Sequence, residues 1–230
     1  IAMDGTDQLA FGFPHFKELT KDTKKERLGS KLVVCVVNGE DVVVYDTLDN
    51  IRGDPNLTIE ALQRVLKRVE ESLDGKPLPK TLFLLLDNCW RENKNSYVLA
   101  WLAWYVERDV FGRIQVTFLP VGHTHMLCDQ VSSRMSIAVR RVCVHSRSAF
   151  ADILRGAYTP APEVEHLDLV AGVKKFLNPR GSATFAGAPI KQADGCSLPL
   201  HFLIKRDRTG VVTIRTKDTH LDPNWSDPKC

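Results

Sequence analysis

No stretch of this 230-residue chain stays apolar for the roughly 20 residues that a membrane-spanning helix needs, and no signal peptide is read at its start. A membrane partner is therefore not expected. The six cysteines, at positions 35, 89, 128, 143, 196 and 230, include no Cys-x-x-Cys pair and no dense framework. That argues against a zinc ribbon and against a disulfide-stapled secreted scaffold, and favours a reducing, intracellular setting. No internal repeat is found, which sets solenoids and propellers aside. Charge of neither sign dominates: 31 Lys and Arg stand against 28 Asp and Glu, a net +3 that permits a nucleic-acid partner without requiring one. The chain opens on Ile1 rather than Met, as an excised piece would, so missing upstream targeting or DNA-binding signals carry no weight.

What is present is enough apolar sequence to bury a full core, 43% of residues, arranged with clear periods. Ile1 to Phe13 reads as an extended strand carrying Asp4, followed by a solvated basic loop from His15 to Lys31. Leu32–Val37 and Val42–Tyr45 are β-branched runs separated by Asn38-Gly39-Glu40-Asp41, a hairpin signal. Thr58 to Leu73 has apolar residues at three- and four-residue steps, predicting a helix capped by Asn56 or Thr58. Thr81–Leu86 is a short apolar run that suits a buried strand ending at Asp87. A helix over Ser96–Val110, a strand over Ile114–Leu119 and a helix from Gly122-His123-Thr124-His125 to about Val142 follow. The order β-β-β-α-β-α-β-α predicts an α/β, ribonuclease H-like mixed sheet. It assigns residues 1–145 to the core and 146–230 to an extension. In that extension a helix spans Ser148–Tyr158, an irregular Pro/Gly-rich stretch follows, and Leu200–Lys205 with Val211–Arg215 forms a terminal hairpin.

Three acids fall where this order would gather them. Asp4 sits in a strand, where carboxylates are disfavoured; Asp87 ends a strand; Asp129 stands in the first turns of a helix. Open α/β sheets bind ligands at strand ends. Two carboxylates about 4 Å apart repel by roughly 4 kcal/mol at an effective dielectric of 20, so such a cluster calls for a cation. Two Mg²⁺ or Mn²⁺ ions would answer it, acting on the attacking and leaving oxygens of a phosphodiester. His125 lies four residues before Asp129, on the same helix face, where it could ligate a metal, orient water or pair with the carboxylate. Each acid also has a plainer reading: a loop start for Asp87, a bulge for Asp4, an exposed helix face for Asp129.

Beyond Asp87, the loop Asn88-Cys89-Trp90-Arg91-Glu92-Asn93-Lys94-Asn95 concentrates amide and cationic donors suited to phosphate oxygens. Asn88, Arg91, Asn93 and Lys94 are candidate nucleic-acid contacts there, as are His123, Arg134 and Arg140 on the later helix, although a capping loop and a solvated helix face are the ordinary alternatives. Trp90, Trp101 and Trp104 could stack on bases, with core packing expected for the last two. Cys89 and Cys128 lack a catalytic partner. Gly122-His123-Thr124-His125 also resembles a motif of calcineurin-like metallophosphoesterases, but the first strand offers Asp4-Gly5-Thr6-Asp7 rather than Asp-x-His, and no Gly-Asn-His-Glu/Asp segment occurs.

Taken together, Asp4-Gly5-Thr6-Asp7-Gln8, Leu86-Asp87-Asn88 with Asn93-Lys94-Asn95, and Val121-Gly122-His123-Thr124-His125 followed by Asp129 resemble a ribonuclease H-like domain of eukaryotic transposon-derived proteins. The resemblance runs from Ile1 to about Val142. It implies transposase- or integrase-like ancestry, DNA rather than RNA as partner, a nuclear setting compatible with self-association, and strand cleavage or transfer by a two-metal site. In that site Asp4 bridges, Asp87 holds one ion, and Asp129 or His125 completes the second. A domesticated, inactive binding module on the same fold is the alternative.

Overall fold

Leu32 through Val37 are all buried, and so are Val42 through Thr47. Side chains alternate between the faces of a strand, so runs without exposed positions require both faces to be covered. In the computed structural model these residues form β3 (Leu28–Val37) and β4 (Asp41–Leu48), antiparallel with Val37 opposite Asp41. Asn38 holds a left-handed φ of 52° at the turn, a conformation Asn tolerates better than most residues. The structure describes residues 1–6, 11–18, 27–38, 41–120, 126–177 and 199–226. Across these the chain is a mixed α/β fold of nine strands and five helices, divided into two compact units, residues 1–52 with 125–170 and residues 53–124 with 171–230.

In the first unit, β1 (Ala2–Gly5) and β2 (Phe11–Phe13) both pair antiparallel with β3, placing Asp4 opposite Val34 and Phe11 opposite Ser30. The single extended strand expected from Ile1 to Phe13 is thus two strands pairing with different stretches of β3. The basic loop also ends earlier than expected: β3 begins at Leu28 and buries Lys31. Helix α3 (Leu127–Arg140) packs on β1 and β3 through Cys128, Val131, Met135 and Val139. Helix α4 (Arg147–Gly156), capped by the Ser146 hydroxyl, packs on α3. The stretch read as irregular contains β7 (Glu163–Leu167), which runs parallel to β4 with His166 opposite Asp46.

In the second unit, β5 (Thr81–Leu86) and β6 (Arg113–Phe118) are parallel, β8 (His201–Arg206) is antiparallel to β6, and β9 (Val212–Lys217) closes the series. Leu82, Leu84 and Leu86 align with Ile114, Val116 and Phe118, all buried. Burying each such side chain contributes about 1.5–3 kcal/mol. Helix α2 (Ser96–Glu107) is apolar nearly all round and packs on β6, β8 and β9, so the terminal hairpin belongs to this sheet. A short α5 (Val173–Leu177) adds to the unit. Helix α1 (Pro55–Ser72) starts earlier than the apolar stripe indicates. Its cap is neither Asn56 nor Thr58 but Asp54, whose Oδ1 accepts the Asn56 N–H at 2.9 Å, with Pro55 in the first helical position. Pro fits there because its φ is already helical and its missing N–H has no partner to lose.

Candidate functional site

Asp4 and Asp129 come from different elements of the first unit, a half-buried position on β1 and the third residue of α3. Between them in chemistry stands Cys128, fully buried, whose thiol is pushed up to about 12 by burial and then by the charges of Asp4 and Asp129. Both carboxylates therefore lie close enough to one thiol to act on it. The thiol stays protonated at neutral pH, so Cys128 is no nucleophile. Asp129 has a local task as well: its Oδ2 accepts the Met126 N–H at 2.9 Å, the reach-back half of a capping box. The sequence reading gave it a cleft-facing or exposed role. A carboxylate in the first turn also meets the positive end of the helix dipole.

In the second unit Asp87 follows β5 directly and is half-buried. The loop after it is closely bonded. The Cys89 carbonyl accepts backbone N–H groups from Glu92, Asn93 and Lys94 at 3.3, 2.8 and 3.0 Å. Asn95 caps α2, accepting the N–H groups of Tyr97 and Val98 at 3.1 Å, and donates from Nδ2 to the carbonyls of Trp90 and Glu92 at 3.2 and 3.1 Å. Asn93 is buried and accepts the Thr58 hydroxyl at 2.9 Å. Lys94 is buried with its Nζ 5.6 Å from the centre of the Phe118 ring, a cation–π contact. Asn93 and Lys94, expected to face phosphate, thus point inward and build the loop. Asn88 is half-buried, whereas Arg91 is exposed, as are Arg134 and Arg140 on α3.

His123 and His125 lie outside the described residues, together with the rest of 121–125. Among the described residues no three of His, Cys, Asp and Glu are grouped so as to hold a metal. Trp101 is buried and stacks on Trp104 with centroids 4.8 Å apart, the core role expected of it.

The structure adds a cluster the sequence reading passed over. Asp46 on β4 is wholly buried; its carboxylate accepts from the Ser30 hydroxyl at 2.6 Å, Arg147 Nε at 2.9 Å and His166 Nδ1 at 2.8 Å. Arg147 also donates to the Asp46 carbonyl at 3.0 Å and to the Asp168 carboxylate. Burial acts to lower the Arg147 pKa, but its bonds to Asp168 and Asp46 outweigh that and leave it raised. The signal was available: Asp46 follows Val42-Val43-Val44-Tyr45, the same acid-in-apolar-strand anomaly that singles out Asp4.

A family model described as "Domain of unknown function (DUF7869)" matches residues 20–222. The chain belongs to the DUF7869 family. No curated protein matches this DUF7869 chain, and no solved structure does. No helix among its described residues is long and apolar enough to cross a membrane.

Proposed function

We propose that this DUF7869 domain acts on nucleic acid, cleaving or transferring phosphodiester strands as transposases and integrases do, on a ribonuclease H-like arrangement of its strands. The observation that carries the reading is that α3, with Asp129 in its first turn, packs on β1, the strand that carries Asp4. Oxygen donors of this kind suit a hard divalent cation such as Mg²⁺ or Mn²⁺. Bound there, such ions would activate a water or a 3′ hydroxyl and offset the charge that builds on the phosphate. Asp4 and Asp129 would hold them, with Asp129 keeping its Met126 N–H and so fixed in direction. Asp87 and His125 enter this reading from the sequence order alone. Arg91 in the second unit, and Arg134 and Arg140 in the first, are exposed cations of the kind that suits phosphate. DNA, a nuclear location and self-association go with the proposal.

A second reading, an inactive nucleic-acid or protein-binding module, draws on the cap hydrogen bond that gives Asp129 a purely structural use. Incubating labelled DNA with the domain and Mn²⁺ separates the two. Metal-dependent cleavage or strand transfer that disappears in folded Asp4→Asn supports the enzyme. DNA binding without turnover, unchanged in Asp4→Asn, supports the module.

A further inference from the structure

Trp90 is 73% exposed, more than any other Phe, Tyr or Trp among the described side chains. Burying an indole is worth several kcal/mol of transfer free energy at most sites, so a ring left in water on an ordered segment needs a reason. The segment is ordered by its own bonds. The Trp90 carbonyl takes the Asn95 amide, the preceding Cys89 carbonyl takes three N–H groups, and Asn93 is tied to Thr58 on α1. The backbone is thus held while the ring projects. Arg91 places its guanidinium 5.8 Å from the ring centre, adding a cation beside a flat apolar surface.

We propose that Trp90 is a stacking platform for an unpaired nucleobase, with Arg91 meeting the adjoining phosphate. The assignment rests on the nucleic-acid reading above and narrows it to a strand that is single where it passes Asp87. A protein-docking hot spot would set its aromatic among apolar neighbours that exclude water. Here its neighbours along the chain are an amide, a thiol, a cation and an anion, Asn88, Cys89, Arg91 and Glu92, and the group placed against the ring is the Arg91 guanidinium. A base offers what this pair accepts: a π-face for the indole and a phosphate for the guanidinium, without regard to sequence. Trp90 stands three residues beyond Asp87 on the same loop.

The test is fluorescence anisotropy of a labelled single strand and of the same sequence as a duplex, in buffer without divalent metal, using the whole chain. Wild type, Trp90→Ala, Trp90→Phe and Arg91→Ala are compared, with thermal melts confirming equal folding. Trp90→Ala is expected to weaken single-strand binding about 5- to 100-fold, Trp90→Phe to retain most of it, and duplex binding to change little. Single-strand binding that is unaltered in Trp90→Ala overturns the platform while leaving the nucleic-acid reading intact, and reassigns the exposed ring to protein docking. Failure of the wild-type chain to bind either form overturns both.

Discussion

In the first unit the buried carboxylate of Asp46 meets a hydroxyl, a guanidinium and an imidazole drawn from β3, α4 and β7. In the second, the inward-turned amides of Asn93 and Asn95 serve one loop, and what that loop turns outward is Trp90 and Arg91. The first arrangement is closed: its donors and acceptors satisfy one another and hold an edge strand. The second is open: neutral polar groups are used up in order to fix a backbone whose tip has no partner in its own loop beyond a neighbouring cation. Burial of polar groups thus has two meanings in one chain, and what the group leaves exposed tells them apart.

The largest expected effect separates them. Asp46→Ala removes the shared acceptor of Ser30, Arg147 and His166, while Arg147 keeps Asp168 and the Asp46 carbonyl. The cost expected is that of lost charge-assisted hydrogen bonds, about 1.5–3 kcal/mol. Chemical denaturation should show that loss; a change under 1 kcal/mol would mean the cluster is not what holds β7. Asn95→Ala should cost only about 1 kcal/mol, the usual value of a lost helix cap, yet weaken single-strand binding because the Trp90 carbonyl loses its tether. If stability falls and binding does not, the loop is no binding element.

The pH dependence sharpens the comparison, since each unit has one buried histidine with a lowered pKa. In His15 burial is the main cause, partly opposed by the bond to the Val142 carbonyl; in His201 burial leads and the charges of Lys217 and His220 add to it. Below about pH 6.5 the unfolded chain takes up protons that the folded chain refuses. Their contribution is therefore complete above that pH and is lost as pH falls toward the lowered folded values. Denaturation midpoints measured from pH 7.5 to 5 should decline, and His201→Gln should flatten part of the decline. The smallest effect on folding is expected for Arg134→Ala and Arg140→Ala on the exposed face of α3, within about 0.5 kcal/mol. Each would reduce the salt slope of DNA binding by about 0.9 if it contacts a phosphate.

Long apolar runs were legible in the sequence because their pattern is local: β3, β4, β5, β6 and the body of each major helix lie where alternation and three- to four-residue spacing put them. β7 was not, since Glu163-Val164-Glu165-His166-Leu167 holds two buried apolar residues between Pro162 and a polar loop. Its place is set by long-range pairing: a parallel ladder with β4 and the Asp46–His166 bond, which joins residues 120 positions apart. The start of α1 was read late because the cap and Pro55 precede the apolar stripe. Asp4 was singled out by its misfit in a strand, and it does lie on β1. The inward turn of Asn93 and Lys94 escaped notice because amides and amines that bind phosphate look, in sequence, like those that close a loop. The Gly122–His125 segment lies outside the described residues.

Calorimetric titration of Mn²⁺ into the chain and into its Asp4→Asn/Asp129→Asn variant, with circular dichroism on both, bears most directly on the proposed cation site. The account predicts saturable binding by the wild type that is lost in a variant still fully folded. Absence of binding by the wild type, even with an oligonucleotide present to supply phosphate oxygens, would contradict it.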